Sequence, residues 1–270
     1  MKNDYILETT GLGKEFRGFV AVQDVNLRVR RGAIHGLIGP NGAGKTTCFN
    51  LLTKFLEPTH GRIRFNGRDI TAEPPQRIAR MGIVRSFQIS AVFPQLTARE
   101  NLRVALLRKQ GTSFHFWKSR RNLAQLDERG MQLLGDVGLE SQADVVTAEM
   151  PYGRKRALEL ATTLALDPEL MLLDEPTQGM GHEDVERVMD LIRRVANNRT
   201  ILMVEHNMKV VAGICDTITV LTRGTVLAEG DYEAVSTNPA VMEAYLGTSQ
   251  ATGGPADIFA PQPGLEESAP

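Results

Sequence analysis

Strand-length apolar runs come first along the chain. Residues 5–9 and 20–29 run or alternate apolar, carry β-branched side chains and hold few breakers, so both are predicted strands. Gly32 closes the second with a turn. Residues 33–38 form a short apolar run that feeds directly into a glycine-rich turn, and a helical pattern then starts near Lys45 and continues through Phe49, Leu52 and Phe55. A short strand is predicted at 62–65, closed by the turn dipeptide Asn66-Gly67, and another at 82–87. Further on, helices are predicted at 153–166, 183–196 and 208–214, and strands at 170–173 and 200–204. Residues 216–221 and 225–228 flank Arg223-Gly224 and predict a hairpin. Alternating strands and helices imply an α/β core with a largely parallel sheet.

The middle follows another rhythm. Thr97 stands three residues before Glu100, the spacing of a capping box, and the pattern from there to Leu139 is helical. Gly111 to Ser113 interrupts it, and Phe114, Phe116 and Trp117 cluster after the break. This region, about 95–165, is predicted as a helical lobe. Past Leu246 the composition shifts to Gly, Pro, Ser, Thr and Ala, so 248–270 are expected to be a disordered tail.

Composition narrows the function classes. Of 270 residues, 42 % are apolar and 23 % charged, enough to bury a core as one large domain or two small lobes. The net charge of −1 argues against nucleic acid as the main partner, because phosphate backbones need a basic surface. Cys48 and Cys215 stand far apart with no Cys/His cluster, which suggests neither zinc nor a disulfide framework. The start, Met1-Lys2-Asn3-Asp4, is not the apolar stretch of a signal peptide, and no apolar run reaches the ~20 residues that span a bilayer. Any membrane role is expected to be peripheral.

One motif carries the chemistry. Gly39-Pro40-Asn41-Gly42-Ala43-Gly44-Lys45-Thr46-Thr47 fits G-x-x-x-x-G-K-[ST], with an apolar strand before it and a helical pattern after it. The glycines let successive N–H groups turn inward, and the helix start adds its positive end. Lys45 supplies a charge for the β- and γ-phosphates of ATP, Thr46 a hydroxyl for Mg²⁺, and Thr47 a hydroxyl for the α-phosphate side. A second site supports the first: the apolar strand at 170–173 runs into Asp174-Glu175-Pro176. A buried strand ending in a carboxylate holds Mg²⁺ from the other side in P-loop enzymes, so Asp174 is the expected metal residue and Glu175 the group that polarises the attacking water.

Taken together, the motifs resemble the nucleotide-binding subunits of ABC transporters over about residues 5–247. The resemblance rests on residues 39–47, Ser86-Phe87-Gln88, Met150-Pro151-Tyr152-Gly153-Arg154-Lys155-Arg156, residues 170–176 and Val204-Glu205-His206, in the family's order. It implies a single ATP-binding domain at 1–247: a RecA-like P-loop core with a mixed or parallel sheet, an antiparallel β-subdomain and a helical subdomain. It implies ATP and Mg²⁺ as ligands and ATP hydrolysis as the activity. Gln88 resembles the glutamine that senses the γ-phosphate and Mg²⁺, and His206 the histidine that contacts the γ-phosphate. Phe16 looks like the aromatic that stacks on adenine, with Val22 against the same ring. Tyr152 and Gly153 look like the signature segment that covers ATP bound to a facing subunit.

Two positions depart from that pattern. Pro151 stands where the family's usual serine would bind the γ-phosphate, which leaves backbone N–H groups and the following helix to do so. Gly181, in Gln178-Gly179-Met180-Gly181, stands where Asp or Asn is common. The relaxed signature, the long helical lobe, the segment from Val204 to Lys209 and the ending Ala244-Tyr245-Leu246-Gly247 resemble the ATPases of branched-chain amino-acid importers. That resemblance implies a homodimer or a heterodimer with a paralogous ATPase. It also implies two integral-membrane permease subunits, indirectly a secreted solute-binding protein, and a peripheral place on the cytoplasmic face of the plasma membrane. Related subunits energise urea and amide uptake. A soluble ABC ATPase acting on nucleic acid is a further alternative, but such proteins carry coiled coils or tandem ATP sites. A small-molecule P-loop kinase would leave the signature segment and His206 without a task.

Overall fold

A computed structural model describes residues 4–86, 92–109 and 120–246. Gln88, the aromatic cluster at 114–117 and the tail from 247 therefore lie outside the described residues. The first half of the chain builds an antiparallel sheet from β1 (Tyr5–Phe16), β2 (Phe19–Val25), β3 (Arg28–Arg30), β5 (His60–Phe65) and β6 (Arg68–Asp69). The run at 20–29 is two strands rather than one. It pairs with β1 at Leu12↔Val25, breaks, and pairs again at Leu7↔Val29. At the break Asp24 takes a left-handed φ of 50°, and the Asn26 side chain accepts a hydrogen bond from the Gly11 N–H. The amide thus fills a gap in the ladder that a regular strand would have closed itself.

The second sheet has the order β11-β10-β4-β9-β8-β7, made by β4 (Ile34–Ile38), β7 (Ile83–Ser86), β8 (Leu170–Asp174), β9 (Thr200–Val204), β10 (Thr217–Thr222) and β11 (Thr225–Gly230). Every pairing is parallel except the β10–β11 hairpin. β4, β8 and β9 are buried at every position because helices or the other sheet cover both faces. Leu170, Leu172, Leu202 and Val204 pack with α1 (Lys45–Leu52) and the antiparallel sheet. Met171, Leu173, Ile201 and Met203 pack toward α5 (Tyr152–Ala165) and α6 (His182–Ala196).

α3 (Ala98–Lys109) and α4 (Arg120–Asp136) pack on each other and on α5. The capping box forms in full: Thr97 N–H donates to Glu100 Oε2 at 2.8 Å, and Glu100 N–H to Thr97 Oγ1 at 3.2 Å. Among the described residues the lobe shares its core with the sheet, because Leu102, Leu133 and Leu134 belong to the same cluster as Met171 and Met203. Three further helices give no periodic signal: α2 (Pro75–Arg80), α8 (Tyr232–Ser236) and α9 (Pro239–Leu246), while α7 (Met208–Ile214) matches its predicted bounds. α2 and α8 each bury a single residue, Ile78 and Val235, which is too little for a period to show.

A polar chain runs across three strands from buried His35 to exposed Glu229. His35 Nε2 lies 2.8 Å from Thr219 Oγ1, whose proton goes to Glu229 Oε2 at 2.7 Å, so the imidazole donates to the threonine oxygen. Burial holds the ring neutral and pushes its pKa down from 6.5 to about 4. The unfolded chain therefore binds the proton more readily, and stability is lost as pH falls from 6.5 toward 4. The loss from this group is about 3 kcal/mol between pH 7 and pH 4. Urea unfolding of His35→Gln at both pH values should show a pH dependence flatter by that amount; an unchanged slope would show that His35 does not carry it.

Candidate nucleotide site

The site gathers where three neighbouring parallel strands end. β9 lies between β4 and β8, with Leu37 opposite Val204 and Asp174 opposite the same Val204. The segments after β4, β8 and β9 carry the glycine loop, the acid pair and His206, so the three motifs meet at the carboxyl edge of the sheet, where α/β folds bind ligands.

The loop is held by its neighbours as well as by its glycines. A Cβ on Gly39 would stand 2.1 Å from the Leu221 carbonyl oxygen, and one on Gly44 would stand 2.6 Å from that of Ala21. Both positions have left-handed backbones, at φ 148° and 99°. Gly224, in the β10–β11 turn, donates to Ala43 O at 3.0 Å and accepts from Gln23 N–H at 2.8 Å, which ties the loop to β2. Ala43 is buried in the core, so only its backbone could serve a ligand, whereas Asn41, Gly42 and Thr46 are exposed and Thr47 is half-buried. α1 begins at Gly44 without a side-chain cap, so its first N–H groups face the loop.

Lys45 Nζ donates to Gly39 O at 2.6 Å and Pro40 O at 3.0 Å. Burial lowers its pKa, and the carboxylates of Glu175 and Asp174 raise it in part. That joint influence puts the lysine in the field of the acid pair. Glu175 itself has a φ of 46° and donates its N–H to Val204 O at 2.9 Å. A left-handed non-glycine residue costs about 1–3 kcal/mol and persists only where its surroundings impose it. Its Oε1 lies 3.9 Å from His206 Nδ1, and the histidine is exposed.

Three residues of the site escape the sequence reading. Glu205, fully buried, accepts from Thr177 N–H and Oγ1 and from the His206 and Asn207 N–H groups, binding the turn after β8 to the turn after β9. Arg85, at the end of β7, pairs with Asp174 Oδ2 and donates to Asn50 Oδ1 at 2.6 Å. Arg156, on α5, donates to the Asp174 carbonyl at 3.2 Å. The available signals were Glu205 within its quoted motif and Arg85 three residues before Gln88, but neither spacing names a partner.

Phe16 sits half-exposed near the tip of the β1–β2 hairpin, opposite the more exposed Phe19. Val22 is fully buried, and a Cβ on Gly44 would lie 3.5 Å from its Cγ2. Val22 therefore shapes the wall of the loop, and the expected contact between Val22 and the base is corrected: it has no accessible surface to offer. Tyr152 and Gly153 lie elsewhere. Tyr152 Oη donates to Gln178 O at 3.3 Å, and a Cβ on Gly153 would stand 3.0 Å from the Asp184 carboxylate. These contacts of Tyr152 and Gly153 are with the chain beyond the acid strand.

The residues present suit both expected ligands. Open space where a Cβ on Gly42 would point leaves room beside the loop N–H groups, and Lys45 supplies a cation there. Among the described residues no group of three or more His, Cys, Asp or Glu side chains could hold a metal ion. Mg²⁺ needs no such cage, since it takes one or two protein oxygens and completes its shell with phosphate and water. The Thr46 hydroxyl and the Asp174 carboxylate are donors of that kind.

Strand order, loop and acid pair define a P-loop nucleotide-hydrolysing protein. The ABC transporter family model matches residues 22–178, and a model for the branched-chain amino acid ATP-binding cassette transporter matches 225–250. The chain belongs to the ABC transporter family of ATP-hydrolysing subunits. It is 41 % identical over 249 residues to the high-affinity branched-chain amino acid transport ATP-binding protein BraF of Pseudomonas aeruginosa, covering 90 % of this chain and 98 % of that one. LivG of Escherichia coli, with the same description, matches at the same identity and coverage. Among solved structures, an ATP-binding cassette of an ABC transporter in its ADP conformation aligns with a TM-score of 0.81 at 28 % identity, covering 91 % of this chain and all of that one.

Proposed function

We propose that this chain hydrolyses ATP to energise uptake of a branched-chain amino acid through separate permease subunits, from a peripheral place on the cytoplasmic face of the plasma membrane. One observation carries the reading: the segments that carry Lys45, the Asp174–Glu175 pair and His206 leave adjacent strands of one sheet at the same edge. The N–H groups from Gly42 to Thr47 cradle the phosphates, Lys45 neutralises them and Phe16 stacks on the base. Thr46, Asp174 and Gln88 would hold Mg²⁺, which would polarise the phosphate oxygens. Glu175 takes the proton of the attacking water, and His206 orients the γ-phosphate.

Each such site is half of a whole. The exposed Tyr152 at the start of α5 supports a head-to-tail pair, homodimeric or with a paralogous ATPase, in which each signature segment covers ATP on the facing subunit. ATP drives closure only through differential affinity for the closed state, and reversing a 1:99 population takes about 5.5 kcal/mol. A groove of about 460 Å³ beside β7, with exposed Phe55, Phe93 and Val104 on its walls, is the receiving surface for the permease subunits. It lies where the chain leaves β7 toward Gln88, which relays closure to the membrane.

Uptake of labelled leucine and valine by cells lacking the gene, complemented with the parent or with Lys45→Ala, tests this. The parent should restore uptake, and Lys45→Ala should lower ATP affinity at least about tenfold, the loss of a charged phosphate contact, and leave uptake at background. Restored uptake of urea or a short-chain amide in place of leucine would move the cargo to the related importers.

A further inference from the structure

Glu205 joins two turns through separate oxygens. It follows β9 directly and is fully buried. Its Oε1 accepts from the Thr177 N–H at 3.2 Å and from the Thr177 hydroxyl, both in the turn after β8. Its Oε2 accepts from the His206 N–H at 2.9 Å and the Asn207 N–H at 3.1 Å, both in the turn after β9. All four donors are uncharged, so hydrogen bonds from neutral groups offset the burial of the carboxylate. Only a side chain that accepts at both ends satisfies them; a glutamine would turn its NH₂ toward one of the two turns. A second crosslink lies one step earlier, where the Glu175 N–H donates to Val204 O at 2.9 Å. Residues 175 and 177 are thus fixed to residues 204 and 205, and Glu175 Oε1 comes to 3.9 Å from His206 Nδ1.

We propose that Glu205 is a positioning residue for hydrolysis: it sets His206 against Glu175 by holding together the turns that carry them. The His206 ring is exposed, so its place follows its backbone more than its packing. Glu205 Oε2 holds that backbone from below, and Asn207 begins α7 on its far side by accepting from the Lys209 N–H at 3.1 Å. Glu205 Oε1 holds the other turn through Thr177, two residues past Glu175. Neither Glu205 nor Thr177 belongs to the phosphate loop, so ATP affinity is left to residues 39–47 and the clamp acts on turnover. This rests on the reading of Glu175 and His206 as the groups that act on the attacking water and the γ-phosphate.

The test uses the full chain with Mg²⁺ and ATP, with kcat from phosphate release and ATP affinity from calorimetry. Thr177→Val is nearly isosteric and removes the hydroxyl bond to Oε1. It should lower kcat about tenfold, the loss of one hydrogen bond to a charged group, and leave ATP affinity within about twofold of the parent. Thr177→Ser restores the hydroxyl and should return kcat to within about threefold of the parent. A packing role would give the reverse order, with valine active and serine impaired, and would overturn the proposal. Glu205→Gln should lower kcat at least as far at unchanged ATP affinity, because one side of the clamp opens whichever way the amide turns. If that variant melts too low to assay, the two Thr177 variants decide. In a His206→Ala background, followed by single-turnover phosphate release, Thr177→Val should cost little further, since its effect passes through the histidine. A full further loss there would place the effect elsewhere and overturn the role. So would parent-like kcat in Thr177→Val, or ATP affinity lost in step with kcat. Parent-like hydrolysis by His206→Ala would instead overturn the underlying reading of the histidine.

Discussion

Glu175→Gln should bind ATP, form ATP-dependent dimers and lose turnover by at least about a hundredfold, the scale of removing a general base. The substitution keeps size and hydrogen-bonding reach and removes only the ability to accept a proton. Its backbone should stay where it is, because φ 46° at this position is imposed by the Glu175 N–H bond to Val204 O and not by the side chain. Loss of the charge also relieves Lys45 of one of the two carboxylates in its field, so nucleotide affinity should hold or rise slightly. Size-exclusion runs with ATP and with ADP, beside a phosphate-release assay, check both halves. Unchanged hydrolysis would remove Glu175 from the mechanism. Lost hydrolysis with no dimer would leave the base in place and sink the head-to-tail closure.

The parts of this site that were legible in the sequence are those where local chemistry dictates local shape. Gly39 and Gly44 were readable because only glycine tolerates the loop's backbone, and Thr97 and Glu100 because a capping box closes within one turn. Bounds of α7 and β9 matched because Asn207 caps the helix and Glu205 turns the chain at the strand end, its carboxylate accepting from the next two N–H groups. What could not be read depends on which strands become neighbours. That β9 lies between β4 and β8 follows from crossovers far apart in sequence, and that order brings Glu205 under Thr177. Val22 was misplaced for the same reason: the alternation of β2 says which residues share a face, not that this face turns to Gly44 and the core.

The ion pair between Arg85 and Asp174 was illegible on the same grounds, and it carries the largest stability effect expected here. Arg85 is 10 % exposed and Asp174 2 %, so neither charge is well solvated. Asn50 Oδ1 accepts a second guanidinium bond at 2.6 Å, and the Phe49 ring lies 5.8 Å from the guanidinium carbon. Arg85→Met would leave the Asp174 carboxylate buried without its guanidinium, which for a broken buried pair costs about 3–5 kcal/mol. Two features favour the lower end. The Arg85 Nε has no hydrogen-bond partner among the described residues, so the parent pair is itself imperfectly satisfied. Lys45 also remains within the field of Asp174. About 3 kcal/mol corresponds to roughly a 6–12 °C fall in melting temperature for a chain of this size. A packing loss and a stranded charge are separated by a second change. Adding Asp174→Asn to Arg85→Met should recover part of the stability, because the charge that lost its partner is gone. If the double variant is as unstable as the sum of the two single ones, the carboxylate was not the source of the cost, and Arg85 stabilises the end of β7 through its contacts with Asn50 and Phe49 alone.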